Sequence, residues 1–272
     1  VCSSCCSLLK LVGKSFNQMW RAPFRKVVFR QYRFNVGAAR FRTAWFHCSS
    51  IAGGLCIGAL VHSCPLHTAT CTEEVVPHWT SVSALKHKVV LVVIDVQNGF
   101  VKKGSTEPVV AKVAEVVRRW LDAGGDVVAT RFDNSAPDGP FRTLKGMPAD
   151  NWAKGSSKYE VDLEIKRTLE QRSDKVWILD KSIYSCFTEE MRALMAKQGW
   201  THIAICGFAT DACVLKTALD CFELGVRPLV LRDACMTHRG YEAHERALLI
   251  VSSIVDRKAV CTADAFLSLL GA

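Results

Sequence analysis

Acidic side chains are scarce at the start of this chain. The first 80 of its 272 residues hold Glu73 and Glu74 against nine Lys/Arg, and MWRAPFRKVVFRQYRFNVGAARFRTAWF, from Met19, carries seven Arg/Lys and no acid. Seven of the nine units of formal positive charge therefore belong to the N-terminal piece. Beyond it, 26 Lys/Arg and 24 Asp/Glu are interspersed, which argues against a nucleic-acid footprint. Long hydrophobic runs are missing too. Ile51 to Val61 is eleven residues, where roughly 20 are needed to span a bilayer, so no stable membrane span is expected. Cys2 and Cys5 have C-x-x-C spacing, but no second pair or nearby His completes a zinc site. VVIDVQNGF lacks G-x-G-x-x-G, which sets aside a dinucleotide-binding oxidoreductase. Internal repeats and low-complexity tracts are also absent.

What is present suffices for one sizeable core, because 49% of the residues are hydrophobic and 22% charged. Seven of thirteen cysteines precede position 72, and the other six (Cys186, Cys206, Cys213, Cys221, Cys235, Cys261) lie in apolar or helical stretches without paired spacing. That pattern suits reduced, buried thiols of an intracellular enzyme. The basic, Cys-rich residues 1–80 have two readings. Their composition fits a mitochondrial presequence, with Ile51 to Val61 as a possible signal-type apolar segment after Arg40 and Arg42. A chain that starts with Val also allows untranslated or fragmentary sequence, residues 1–18 above all. Either way the extension is expected to be disordered and to end in a linker marked by Pro65 and Pro77, leaving 81–272 as the folded domain. The expected location is mitochondrial under the first reading and cytoplasmic under the second.

After Lys88, VVLVVID is a continuous β-branched run, the mark of a strand covered on both faces. Helical spacing follows in PVVAKVAEVVRRWLDAGG and then DVVATRF repeats the strand signal. The alternation continues through KVWILDK, the helix FTEEMRALMAKQGW, HIAICGF, a helix from about Thr210 to Leu224, RPLVLRDA, a helix around Tyr241 to Val255, and KAVCTADAF. Six strands alternating with helices predict an α/β protein: three layers, α/β/α, around a doubly wound, Rossmann-like, mostly parallel sheet. Ligands of such sheets sit beyond the carboxyl ends of the strands.

Three such ends supply reactive groups: Asp95 closing the first strand, Lys181 closing the third, and Cys213 opening the helix after the fourth. A helix N-terminus and an ammonium both favour a thiolate, and a carboxylate can take the thiol proton and later return it. Alone, each residue has an ordinary reading as a turn cap, a solvated charge or a small buried hydrophobe. Their local sequences are more specific. VVIDVQNGFV, LDKSIYSCF and GFATDACVLKTALD resemble, in order and spacing, the three signature segments of isochorismatase-like cysteine hydrolases, over about 185 residues. The resemblance implies that family's fold, with Asp95, Lys181 and Cys213 as the catalytic group. It further implies a cis peptide at Phe208-Ala209, an oxyanion hole from the backbone N–H groups of Ala209 and Cys213, a small-molecule substrate and a homo-oligomer, dimer or tetramer.

Nicotinamidases of that superfamily carry a His-containing metal segment after the second strand. Here the stretch reads TRFDNSAPDGPFRTLKGMPADNW, without histidine, and only His202, His238 and His244 follow position 87. No metal and no other cofactor is expected. His244, in a helix-forming stretch, reads as a packing or capping residue. Phe100, Phe132, Trp152, Tyr184 and Phe187 flank the strand ends as pocket-wall candidates, with Arg131 a candidate anion anchor and ordinary core packing the competing reading for each ring. The expected activity is hydrolysis of a C–N bond in a small amide, carbamoyl or ureide compound through a Cys213 thioester. The alternatives are nicotinamidase or isochorismatase-type activity, and a catalytically retired binding or scaffold protein.

Overall fold

A computed structural model describes residues 86–269. The basic extension and its linker, residues 1–80, lie outside the described residues.

Six strands form one sheet: β1 (Val89–Ile94), β2 (Asp126–Phe132), β3 (Val176–Lys181), β4 (His202–Phe208), β5 (Arg227–Met236) and β6 (Val260–Cys261), in the order β3-β2-β1-β4-β5-β6 with every pairing parallel. β1 sits at the centre with all six residues buried, as its unbroken VVLVVI run requires. The order reverses between β1 and β4, so the chain winds outward in both directions from that pair. Helices α3 (Leu163–Glu170) and α7 (Ala263–Ser268) both pack on α1 (Glu107–Asp122); α5 (Leu215–Glu223) and α6 (Tyr241–Ile254) form a separate pair. A one-turn helix, α2 (Pro140–Thr143), follows β2, and α4 (Glu189–Gln198) follows β3.

Local chemistry explains the element limits. Val110, Val113, Val117, Trp120 and Leu121 recur every three or four residues and form the buried stripe of α1. Thr188 caps α4 by accepting from the Met191 N–H, and Gly199 ends it in the left-handed conformation. The sixth strand is shorter than its run predicts. Only two residues pair, because the Thr262 hydroxyl accepts from the Ala265 N–H and starts α7. The helix predicted from Thr210 begins instead as a wide π turn, Thr210–Val214, before α5.

Gly207 governs how closely the two central strands end. Its φ is +108°, and a Cβ there would stand 2.2 Å from the Ile94 carbonyl oxygen and 2.8 Å from the Ile94 nitrogen. Only glycine admits this approach. It coincides with the β4–β5 register shift between Ile205 and Gly207, and it sets the end of β4 against the residue before Asp95.

Candidate active site

Strand register assembles the site. Ile94 pairs with Thr130 on one side and Gly207 on the other, while Phe132 pairs with Lys181, so the next residue after β1, Asp95, has a threonine, a lysine and the end of β4 around it. Asp95 has a φ of 50°. Its N–H is shared by the Thr130 carbonyl and hydroxyl, both at 3.2 Å, and the Thr130 hydroxyl donates to Asp95 Oδ1 at 2.7 Å. Such a conformation costs a non-glycine residue about 1–3 kcal/mol, and these bonds hold it.

Lys181, two strands away at the end of β3, reaches the same carboxylate. Its Nζ donates to Asp95 Oδ2 at 2.6 Å, to the carbonyls of Ile183 and Tyr184 at 3.0 and 3.2 Å, and to Cys213 Sγ at 3.4 Å. The ion pair is sealed, with side chains 1% and 0% exposed, and Cys213 is 7% exposed. Burial alone would draw the ammonium toward neutrality, but Asp95 and then Cys213 outweigh it and hold the Lys181 pKa above its ordinary value.

The thiol behaves differently from the sequence expectation. Burial pushes its pKa up to about 12; Lys181 pulls it down and Asp95 pushes it up again. The ammonium beside it is real, but desolvation wins, so Cys213 rests as a thiol between a carboxylate and an ammonium. That arrangement gives general-base removal of the proton, rather than a standing thiolate, as the route to a nucleophile. All six described cysteines are free and buried, and Lys181 donates to Cys213 alone among them.

Cys213 is delivered by the π turn. The N–H groups of Ala212 and Val214 both bond the Ala209 carbonyl, at 3.0 and 3.2 Å, and the Phe208-Ala209 peptide is cis. Ala209 enters the turn and Cys213 lies within it, so the two candidate oxyanion donors belong to one short segment. π turns inside helices often occur at functional sites.

The aromatic candidates meet on the other side. Phe100 stacks on Trp152 with ring centroids 4.9 Å apart, Phe132 lies 6.2 Å from Phe100 and 4.5 Å from Phe141, and Phe141 lies 4.8 Å from Tyr184. Lys181 Nζ is 5.9 Å from the Phe132 ring centroid, which joins this wall to the polar cluster. Phe187 is buried nearby with the Arg192 guanidinium over its ring at 5.6 Å.

Arg131 is not brought to this group. Strand alternation sends it to the face opposite Thr130 and Phe132. There its Nε bonds Asp180 at 2.7 Å and its guanidinium covers Tyr159 at 4.7 Å. Asp180 resists protonation: burial works to raise its pKa, but hydrogen bonds from Tyr159 and Arg131 hold it below the ordinary value.

Sequence reasoning missed three supports. Thr130 holds the carboxylate, Phe141 links Phe132 to Tyr184, and Gln97 clamps Phe132. The Gln97 amide donates to the Phe132 and Tyr159 carbonyls at 3.0 and 2.7 Å and accepts from the Phe132 N–H at 2.7 Å. For Thr130 a signal existed: it is a polar residue near the end of the strand beside β1.

Among the described residues no group of three or more His, Cys, Asp or Glu is placed to hold a metal ion. After β2 the nearest carboxylate, Asp133, accepts from the Ser135 N–H and hydroxyl at 2.9 and 2.6 Å. The donors of a nicotinamidase-type metal centre are therefore not assembled here. No helix among the described residues is long and apolar enough to cross a membrane.

Comparison with known proteins converges on the same region. The isochorismatase domain family model matches residues 89–262. A curated relative, the ureidoacrylate amidohydrolase RutB of Serratia proteamaculans, is 25% identical over 177 residues, covering 55% of this chain and 69% of the relative. Among solved structures, a cysteine hydrolase from Pseudomonas syringae superposes with a TM-score of 0.60 at 18% identity, covering 68% of this chain and 93% of that one. A nicotinamidase PncA from Bacillus subtilis gives 0.58 at 19% identity, covering 64% and 98%. These two likenesses carry the fold.

Proposed function

Because the chain belongs to the isochorismatase domain family, we propose that it is a metal-independent cysteine amidohydrolase cleaving a C–N bond of a small amide, carbamoyl or ureide compound. One observation carries the reading: Lys181 Nζ donates at once to Asp95 Oδ2 and Cys213 Sγ, with both charged side chains buried. A buried ammonium with a buried carboxylate would serve stability poorly by itself, since such pairs often gain nothing over apolar packing. Holding a thiol between an acid and a base gives the pair a chemical purpose.

The proposed steps are these. Cys213 Sγ forms a bond to the carbonyl carbon while its proton passes to Asp95. The carbonyl electrons move onto oxygen, where the N–H groups of Ala209 and Cys213 stabilise the charge. The oxyanion collapses, the C–N bond breaks, and the amine leaves with the proton that Asp95 held. Water then attacks the thioester, giving its proton to Asp95, and the thiol is restored when the C–S bond breaks. Lys181 holds the Asp95 carboxyl group in position throughout. Ureides come first as substrates, because RutB relatives carry the name ureidoacrylate amidohydrolase.

The test is ammonia release by the full chain from a panel of ureides and amides, beside Cys213→Ala and with a chelator arm. Release that persists with chelator and disappears in Cys213→Ala is the expected result. Turnover that survives Cys213→Ala ends the proposal, and loss of turnover on chelation ends its metal-independent form.

A further inference from the structure

A cavity of about 410 Å³ lies between α2, the loop after β3 and the first turns of α5. It is within the range of small-molecule sites, about 300–1,000 Å³. Phe141, Tyr184 and Phe187 give it apolar walls, and Lys145, Arg192 and Lys216 stand at its edge. Lys216 is ion-paired to Asp220 on the same helix. The other two cations are held by rings instead. Lys145 Nζ donates to the Tyr184 hydroxyl and lies 5.4 and 5.1 Å from the Phe141 and Tyr184 ring centroids, and Arg192 covers Phe187. Neither has a carboxylate partner among the described residues. Rings orient these charges without neutralising them.

The cavity adjoins the catalytic group. Tyr184 lends its ring to the cavity and its carbonyl to Lys181, and Lys216 follows Cys213 by three residues. Apolar walls with two unspent positive charges match an anion that carries an apolar body. We propose that this cavity binds the acidic tail of the substrate, which is an amido or ureido acid whose apolar body separates the scissile carbonyl from a carboxylate. Lys145 and Arg192 take the carboxylate, and Phe141, Tyr184 and Phe187 take the body. The proposal rests on reading Cys213 as an amidohydrolase nucleophile, and it names the substrate class of that same site.

The probes are 4-ureidobenzoate and its methyl ester, in which a ring separates the ureido carbonyl from the acid group and which differ by the charge and one methyl group. Binding is measured calorimetrically on full-chain Cys213→Ala, where turnover does not interfere, and ammonia release is measured on the unaltered protein. The acid is expected to bind about tenfold tighter than the ester, the size of one charge-assisted hydrogen bond. Adding Lys145→Met and Arg192→Met should bring the two within about threefold, with Tm unchanged. In the active protein the same pair should raise KM for the acid and leave kcat and the ester unaffected. Acid and ester bound alike, neither bound, or a preference that survives the double substitution would each overturn the proposal. So would an altered oligomeric state with an unaltered preference, which would show the cavity to be covered by a second copy of the chain. An acid preference that behaves as expected, with no ammonia from either compound, would instead sink the amidohydrolase reading and leave the binding site standing.

Discussion

On the β2 and β3 side, what surrounds Asp95, Lys181 and Cys213 is a succession of rings, from Trp152 through Phe100, Phe132 and Phe141 to Tyr184. On the β4 and β5 side it is polar groups joined by directed bonds. There the Thr210 hydroxyl lies 2.8 Å from His244 Nδ1, Arg232 bonds Glu245 at 3.0 Å, and Arg239 bonds Asp211 at 2.5 Å. Ring contacts prefer stacked or edge-to-face geometries but leave no unpaired polar atom when disturbed, so they tolerate changes of shape if volume is kept. Of these three bonds only Thr210–His244 is buried, and a buried hydrogen bond tolerates little, because a lost partner leaves its mate unsatisfied. The contrast suggests a division of labour: the aromatic wall adapts to the substrate, and the polar wall fixes the turn that carries the nucleophile.

The sharpest way to break that contrast is Gly207→Ala. The added methyl meets the backbone of Ile94, and neither neighbour is a flexible side chain that can retreat. Overpacking and a left-handed φ at a non-glycine residue together predict a loss of about 3–5 kcal/mol. Urea unfolding of the two proteins measures it. A loss under about 1 kcal/mol would mean that the β1–β4 approach is soft and that rigidity is not what separates the walls.

A smaller effect is expected at His244. Burial first, with help from Arg232, lowers its pKa, although Glu245 and Asp211 oppose the shift. His244 is thus neutral in the folded protein at pH 7, and Nδ1 and the Thr210 hydroxyl satisfy each other. Below about pH 6.5, the ordinary histidine value, the unfolded chain takes up a proton that folded His244 resists, so stability falls as pH falls. Burial shifts His202 and His238 the same way. Replacing His244 with Gln, which keeps a polar partner but cannot ionise, should flatten the decline in Tm between pH 6.5 and 5. His244→Leu orphans Thr210 and should lower kcat about tenfold with KM unchanged, equivalent to about 1.4 kcal/mol. An equal loss in Gln and Leu would point to packing and remove the directed bond from the account.

Where the sequence alone was readable, the physics was local and periodic. β1 and β4 read as strands because continuous Val, Ile and Ala runs have one stable placement, between two helical layers. The candidate site was legible from its three signature-like segments, and the structure brings Asp95, Lys181 and Cys213 together at or beyond the ends of β1, β3 and β4. The π turn did not read, since TDACVL carries ordinary helical residues and the wide turn is set by bonds to the Ala209 carbonyl. The resting state of Cys213 did not read either. A neighbouring lysine is visible in a chain of letters, but the desolvation that overrides it depends on how completely the folded chain buries the thiol. β6 was overextended because AVC continues into TADAF, and whether a threonine pairs or caps is decided by the three residues that follow.

Arg131 is the finest test of the division between the walls, because it belongs to neither. As a charged residue in TRF it reads as an anchor for an anion, yet the register that brings Thr130 to Asp95 turns Arg131 to the opposite face. There its charge is already taken by Asp180, which also accepts from the Tyr159 hydroxyl at 2.7 Å and from Lys154 at 3.3 Å. Both members of the Arg131–Asp180 pair are about a quarter exposed, so water screens part of the attraction. Arg131→Met should therefore lower stability by about 1 kcal/mol, keep Asp180 bonded to its other two partners, and leave KM for an acidic substrate unchanged. Lys145→Met, with less effect on stability, should raise that KM. If the two substitutions exchange these outcomes, the carboxylate is read from the Arg131 face, and the aromatic wall loses its role in selecting the substrate.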